Sequence, residues 1–160
     1  MAAFIKFDGV DGEAQDKDHK GWSDILSFSQ GLTKPGAGAT GPTRRRGDVV
    51  LEDISVVKEL DKASPKIAES MCKGKVFPKV EIHLTASYTD AGRVTYYAYE
   101  LKNVQVLNYN ISGSGQSEEV PTEDMSINYE EIKVTYTECD SKGSSKGAVE
   151  YAWKVEEAEA

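Results

Sequence analysis

At 160 residues the chain is long enough for one domain that buries about 70% of the surface its unfolded form would expose, so its core needs neither metal nor disulfides. A net charge of −8 and a pI near 4.8 exclude general nucleic-acid binding, which requires basic surface to displace counterions from phosphates. No apolar run approaches the ~20 residues of a spanning helix, which excludes insertion as a membrane helix.

The opening MAAFIKFDGV has one lysine and no apolar h-region, so no secretory signal is predicted. Residues 3–7 alternate around Lys6 and read as a first strand, followed by the turn-rich DGVDGEAQDKDHKG. Residues 24–33 (DILSFSQGLT) alternate at period two. Leu26, Phe28, Gln30 and Leu32 share one face, predicted to meet a core. Ser27, Ser29 and Gly31 form a small polar face predicted to meet water. Residues 34–48 (KPGAGATGPTRRRGD) read as one extended loop, and residues 49–58 return to β-branched strand composition.

ELDKASPKIAESMCKGK then carries a short helix, about residues 65–73. Ser64 is the expected N-cap and Pro65 the first helical residue, where its missing N–H costs nothing. Ile67, Ala68 and Met71 form the predicted buried stripe, with Lys66, Glu69 and Lys73 outward, and Gly74 is the expected left-handed stop. So short a helix is marginal alone and must lie on something larger. Strands are predicted over residues 79–89, 94–101, 104–111, 124–132, 133–137 and 149–155, with TDAGR as a hairpin turn and SGSGQSEEVPTE and DSKGSSKGA as longer loops. The acidic tail 156–160 (EEAEA) is expected to fray. Many short strands with one helix give a mainly-β fold class: a single-domain β-barrel of two packed sheets.

Candidate chemistry is sparse. Gly36, Gly38 and Gly41 match GxGxxG, but Pro42, three arginines and a strand follow where a helix should receive the pyrophosphate. Arg44, Arg45 and Arg46 are the sole basic cluster, suited to an acidic neighbour or to solvent. His19 and His83 sit at no metal-ligand spacing and read as a turn residue and a strand residue. Cys72 and Cys139 read as free thiols, Cys72 at the helix end that disfavours a thiolate. Ser114 lacks the nucleophile-elbow context, and Glu118, Glu119, Glu123 and Asp124 read as a solvated acidic loop. No catalytic residue, cofactor or metal is expected.

The segments FIKFDGVDGEAQDKDHKGWSDILSFSQG, DISVVKELDKASPKIAESMCKGKVFPKVEIHL, YELKNVQVLNYNISGSG and PTEDMSINYEEIKVTYTECD resemble, in order, the Hcp (haemolysin-coregulated protein) family of bacterial type VI secretion. The DGxxGEAxDxxH-like start combined with the DxxSPxIxxxxxxG helix carries most of the specificity. The resemblance implies a β-barrel-like subunit that forms a homohexameric ring. Rings would stack into a tube inside a contractile sheath, capped by a VgrG-type spike, carry secreted effectors in the lumen, and be expelled from the bacterial cytoplasm without a signal peptide. It also implies that the polar face of the helix borders the ring interior, and that Ser27 and Ser29, with Gly31 beside them, line the lumen. Arg44, Arg45 and Arg46 depart from the family's rather neutral loop, where an inter-subunit contact is expected. The chain ends soon after its last strand, as expected of a tube subunit without a fused toxin. Two other readings are a monomeric β-barrel that binds a small ligand and a phage tail-tube protein of similar fold.

Overall fold

The computed structural model describes residues 1–34, 49–89 and 92–155. In chain order the elements are β1 (Ala2–Phe7), β2 (Ser23–Ile25), β3 (Ser27–Ser29), β4 (Leu32–Thr33), β5 (Val50–Leu51), β6 (Ile54–Glu59), α1 (Ser64–Lys73), β7 (Phe77–Tyr88), β8 (Gly92–Ser112), β9 (Thr122–Asn128), β10 (Glu131–Cys139) and β11 (Ser145–Lys154). The mainly-β class with one helix among the described residues agrees with the sequence expectation. The Arg44, Arg45 and Arg46 run, the tip of the TDAGR turn and the tail 156–160 lie outside the described residues.

Two layers are made from one continuous path of strands, β2-β1-β7-β8-β9-β6-β3, with β10 branching from β8 and carrying β11. Among the described residues the expected barrel is therefore open: β2, β3 and β11 end the ladder without closing it. The first half of β8 pairs with β7 and β10, and its second half pairs with β9, so β8 belongs to both layers. Its bend falls at Asn103, which takes φ 52, a left-handed conformation that asparagine tolerates better than most residues. Asn103 Nδ2 donates to Glu130 Oε2 at 2.7 Å, and the Glu130 N–H donates to the Lys102 carbonyl at 3.1 Å. That pins the β9–β10 turn against the same corner. The sequence reading split β8 in two at this point, and it placed the later strand break at 132–133 instead of at Tyr129–Glu130.

A second corner falls at Leu26. β2 pairs with β1 in one layer and β3 with β6 in the other, so the expected single strand over residues 24–33 is three short ones. The corner shifts the alternation by one residue: Ser23 and Ile25 are buried, then Phe28 packs on the core, and Leu26 is left 58% exposed. Leu32 on β4 is exposed as well, so two of the four residues predicted to face the core do not.

The main core lies between the layers and includes Ile5, Phe7, Ile54, Val56, Phe77, Ile82, Leu101, Ile127 and Ile132. Residues 8–22 form a strap over the opposite face of β1 and β7, where Phe4 is buried. Lys6 pins the strap's two ends together: its Nζ donates to the Val10 and Gly21 carbonyls at 2.8 and 3.2 Å and pairs with Asp11 at 2.7 Å.

Candidate functional site

α1 packs against β8, and its geometry corrects two sequence assignments. Ser64 is not the N-cap. The cap is Asp61: its Oδ1 accepts the Ala63 N–H at 3.0 Å, while Ser64 Oγ reaches back to accept the Asp61 N–H at 3.0 Å, a reciprocal box one turn earlier than expected. Met71 is 39% exposed and does not face the barrel. The buried stripe is Ala63, Ile67 and Ser70, and Ala68 lies at its margin. Ser70 can be buried because its hydroxyl donates to the Ile67 carbonyl at 2.6 Å, so no polar atom is stranded. Pro65 is exposed in the first turn, and Gly74 takes φ 65 at the helix end, where its N–H and that of Lys75 return to Met71 and Ser70.

Beneath the start of α1 lies a buried charge cluster. Lys58 and Glu123 stand opposite one another across β6 and β9, each 0% exposed, and form an ion pair. Glu123 also accepts a hydrogen bond from the Tyr109 hydroxyl. Lys58 Nζ donates to Asp61 Oδ1 at 2.9 Å, and Ser23 Oγ donates to Asp61 Oδ2 at 2.8 Å. Burial alone raises the Asp61 pKa, but the hydrogen bonds from Lys58 and Ser23 outweigh it and hold the carboxyl below its ordinary value. Glu123 therefore does not belong to a solvated acidic loop. The phase showed it: Lys58 alternates with Val56 and Ile54, and Glu123 with Met125 and Ile127, all buried.

Under the strap lies a second cluster, in which the two histidines meet although 64 residues separate them. His19 Nε2 and His83 Nδ1 are 3.0 Å apart, and His19 Nδ1 is 2.6 Å from Asp16 Oδ2. His83 Nε2 is 3.4 Å from Glu81 Oε2, and Arg93 Nε donates to Asp16 Oδ1 at 3.0 Å. Phe4 stacks on His19 with ring centroids 4.5 Å apart, and Trp22 closes against both imidazoles. His83 stands on β7 and His19 in a turn of the strap, as expected, but the two are in contact.

The outward surfaces are strand edges and apolar side chains. Among the described residues β11 pairs only with β10, and eight of its ten residues are exposed. Val149 is 76% exposed, with Tyr151 and Tyr136 exposed beside it and Tyr97 next in register. Ser27 and Ser29 are exposed on β3. Gly31 differs from them, because a side chain there would meet the Glu52 carboxylate, which also accepts the Thr33 hydroxyl at 2.9 Å. Among the described residues no group of histidine, cysteine and carboxylate side chains is arranged to hold a metal ion, and no helix is long and apolar enough to cross a membrane.

Open edges, apolar side chains beside them and polar clusters spent on tying elements together define a strand-rich structural subunit. The chain belongs to the Hcp family: the family model described as "Type VI secretion system effector, Hcp" matches residues 4–136. Protein hcp1 of Pseudomonas aeruginosa is 29% identical over 153 residues, covering 95% of this chain and 93% of that protein. A solved type six secretion system protein superposes with a TM-score of 0.89 at 27% identity, covering 99% of this chain and 98% of its own. Hcp1 from Salmonella typhimurium, at 20% identity and a TM-score of 0.78 over 99% of this chain and 97% of its own, shares the fold. The protein is thus a type VI secretion tube subunit.

Proposed function

We propose that this subunit closes head-to-tail into a six-membered ring and that the rings stack into the tube expelled by a contractile sheath, beneath a VgrG-type spike. Its role is then structural and transport-related, without catalysis. The observation that carries this reading is the unfinished sheet: β11 leaves its outer edge and Val149 uncovered, and a neighbouring copy is a natural cover for both. Size-exclusion chromatography with light scattering and negative-stain images test it. Six-fold rings are expected, and a monomeric mass at every concentration overturns the proposal.

Ser27 and Ser29, exposed on β3, are proposed to line the lumen and meet effectors. Ser29→Glu should leave the ring intact and reduce effector retention, whereas loss of the ring places this strand at an interface. Arg44, Arg45 and Arg46 are proposed to reach carboxylates of a neighbouring copy or ring, because the remaining chain is strongly acidic. Each exposed pair is worth only ~0.2–1 kcal/mol, but ring symmetry repeats it. Replacing all three by Ser should shorten stacks without unfolding the subunit, and high salt should mimic the change.

A further inference from the structure

We infer that residues 8–22 are a proton-counting strap: the His19–His83 pair holds it shut while the two rings share one added proton, and releases it when a second arrives. The hydrogen-bond geometry sets the count. His19 Nδ1 must carry hydrogen to donate to Asp16 Oδ2 at 2.6 Å, and one hydrogen must lie in the 3.0 Å gap between His19 Nε2 and His83 Nδ1. With both rings neutral, His83 Nε2 is then bare and turns a lone pair towards the Glu81 carboxylate at 3.4 Å. One proton from solvent corrects this by making an N–H that donates to Glu81. The chain Asp16–His19–His83–Glu81 is then satisfied at every nitrogen. A second proton has only the inner gap to occupy. It sets N–H against N–H and puts a positive charge on each of two rings whose centroids are 5.2 Å apart, so the link between strap and sheet is lost.

Charges of both signs surround the pair. On the strap stands Asp16; on β1, Lys6, opposite Glu81 in register and paired to Asp11 of the strap; on β7, Glu81, with Lys79 paired to it at 2.9 Å; on β8, Arg93, and Glu100 opposite Glu81; and on β2, Asp24, which flanks Phe4 in register on the side opposite His83. Burial first, and the neighbouring His19 second, outweigh the pull of Glu81 and hold the His83 pKa below the ordinary histidine range, so the ring charges only at pH values below about 6.5. Opening uncovers Phe4 and Trp22 on the outer face of β1 and β7; of the strap's residues only Val10 belongs to the main core, so most of the fold can outlast it.

Hydrogen exchange read by mass spectrometry on the full-length protein tests this, at about pH 7.5 and pH 5, corrected for intrinsic exchange, with α1 as internal reference. The strap should lose about tenfold or more in protection at the lower pH while α1 keeps its own. His83→Gln leaves no pair of rings to set N–H against N–H, so it should abolish that difference. Equal strap protection at both pH values in the unaltered protein overturns the inference, with no variant needed. So does loss of strap and α1 together, or an undiminished pH effect in His83→Gln.

Discussion

The cluster under α1 and the cluster under the strap both bury charge, yet they use opposite chemistry. Lys58 is joined to both Glu123 and Asp61 by ion pairs, two of the three side chains fully buried, so that cluster is locked. His19 and His83 are joined nitrogen to nitrogen across 3.0 Å, a link that needs one ring nitrogen bare, so that cluster is conditional. Position explains the choice. Lys58 and Glu123 face inward from central strands β6 and β9, where an unpaired charge would have no solvent to fall back on. His83 is 22% exposed beneath a covering segment at the outer face of the sheet.

The largest effect should come from breaking the locked cluster. Lys58→Met strands Glu123 and should cost about 3–5 kcal/mol in denaturant unfolding, while adding Glu123→Leu should recover most of that loss. A single variant as stable as the parent would show that the pair is not closed to water. Asp61→Ala removes the cap of α1 and one partner of Lys58, for about 1–2 kcal/mol at neutral pH. Because the Asp61 pKa is lowered on folding, its contribution is present above about pH 3.9 and is lost as pH falls through the folded value. Unfolding midpoints of parent and Asp61→Ala should therefore draw together as pH falls below about 3.9. In the conditional cluster, His83→Gln at neutral pH should cost only about 1 kcal/mol, since a partly exposed amide can still reach His19. Met71→Ser should change subunit stability by less than about 0.5 kcal/mol, and a larger loss would return Met71 to the buried stripe.

Local signals were legible and long-range ones were not. Pro65 and Gly74 mark the ends of α1 by backbone chemistry that depends on no partner. Its buried face was misread because Ser70 satisfies its own hydroxyl within the helix, so a polar letter hides a core position. The Leu26 corner was invisible because an uninterrupted alternation looks like one strand, and only the exchange of partners from β1 to β6 shifts its phase. The two histidines meet through strap and sheet, a closure that no spacing rule encodes. Ser27 and Ser29 were recognisable as an exposed strand face, but what that face meets belongs to the assembly.

β8 carries a mechanical consequence. Its 21 residues form a contour of roughly 70 Å of covalent backbone threaded through both layers. A pull that tries to slide one layer over the other must therefore stretch a continuous strand, and the load spreads along the ladders to β7, β9 and β10. Packed side chains alone would slip past one another under such shear. Asn103 acts as the bend in a tie-bar, clamped by Glu130, and for a subunit of a secretion tube that makes resistance to axial load a property of one strand's route.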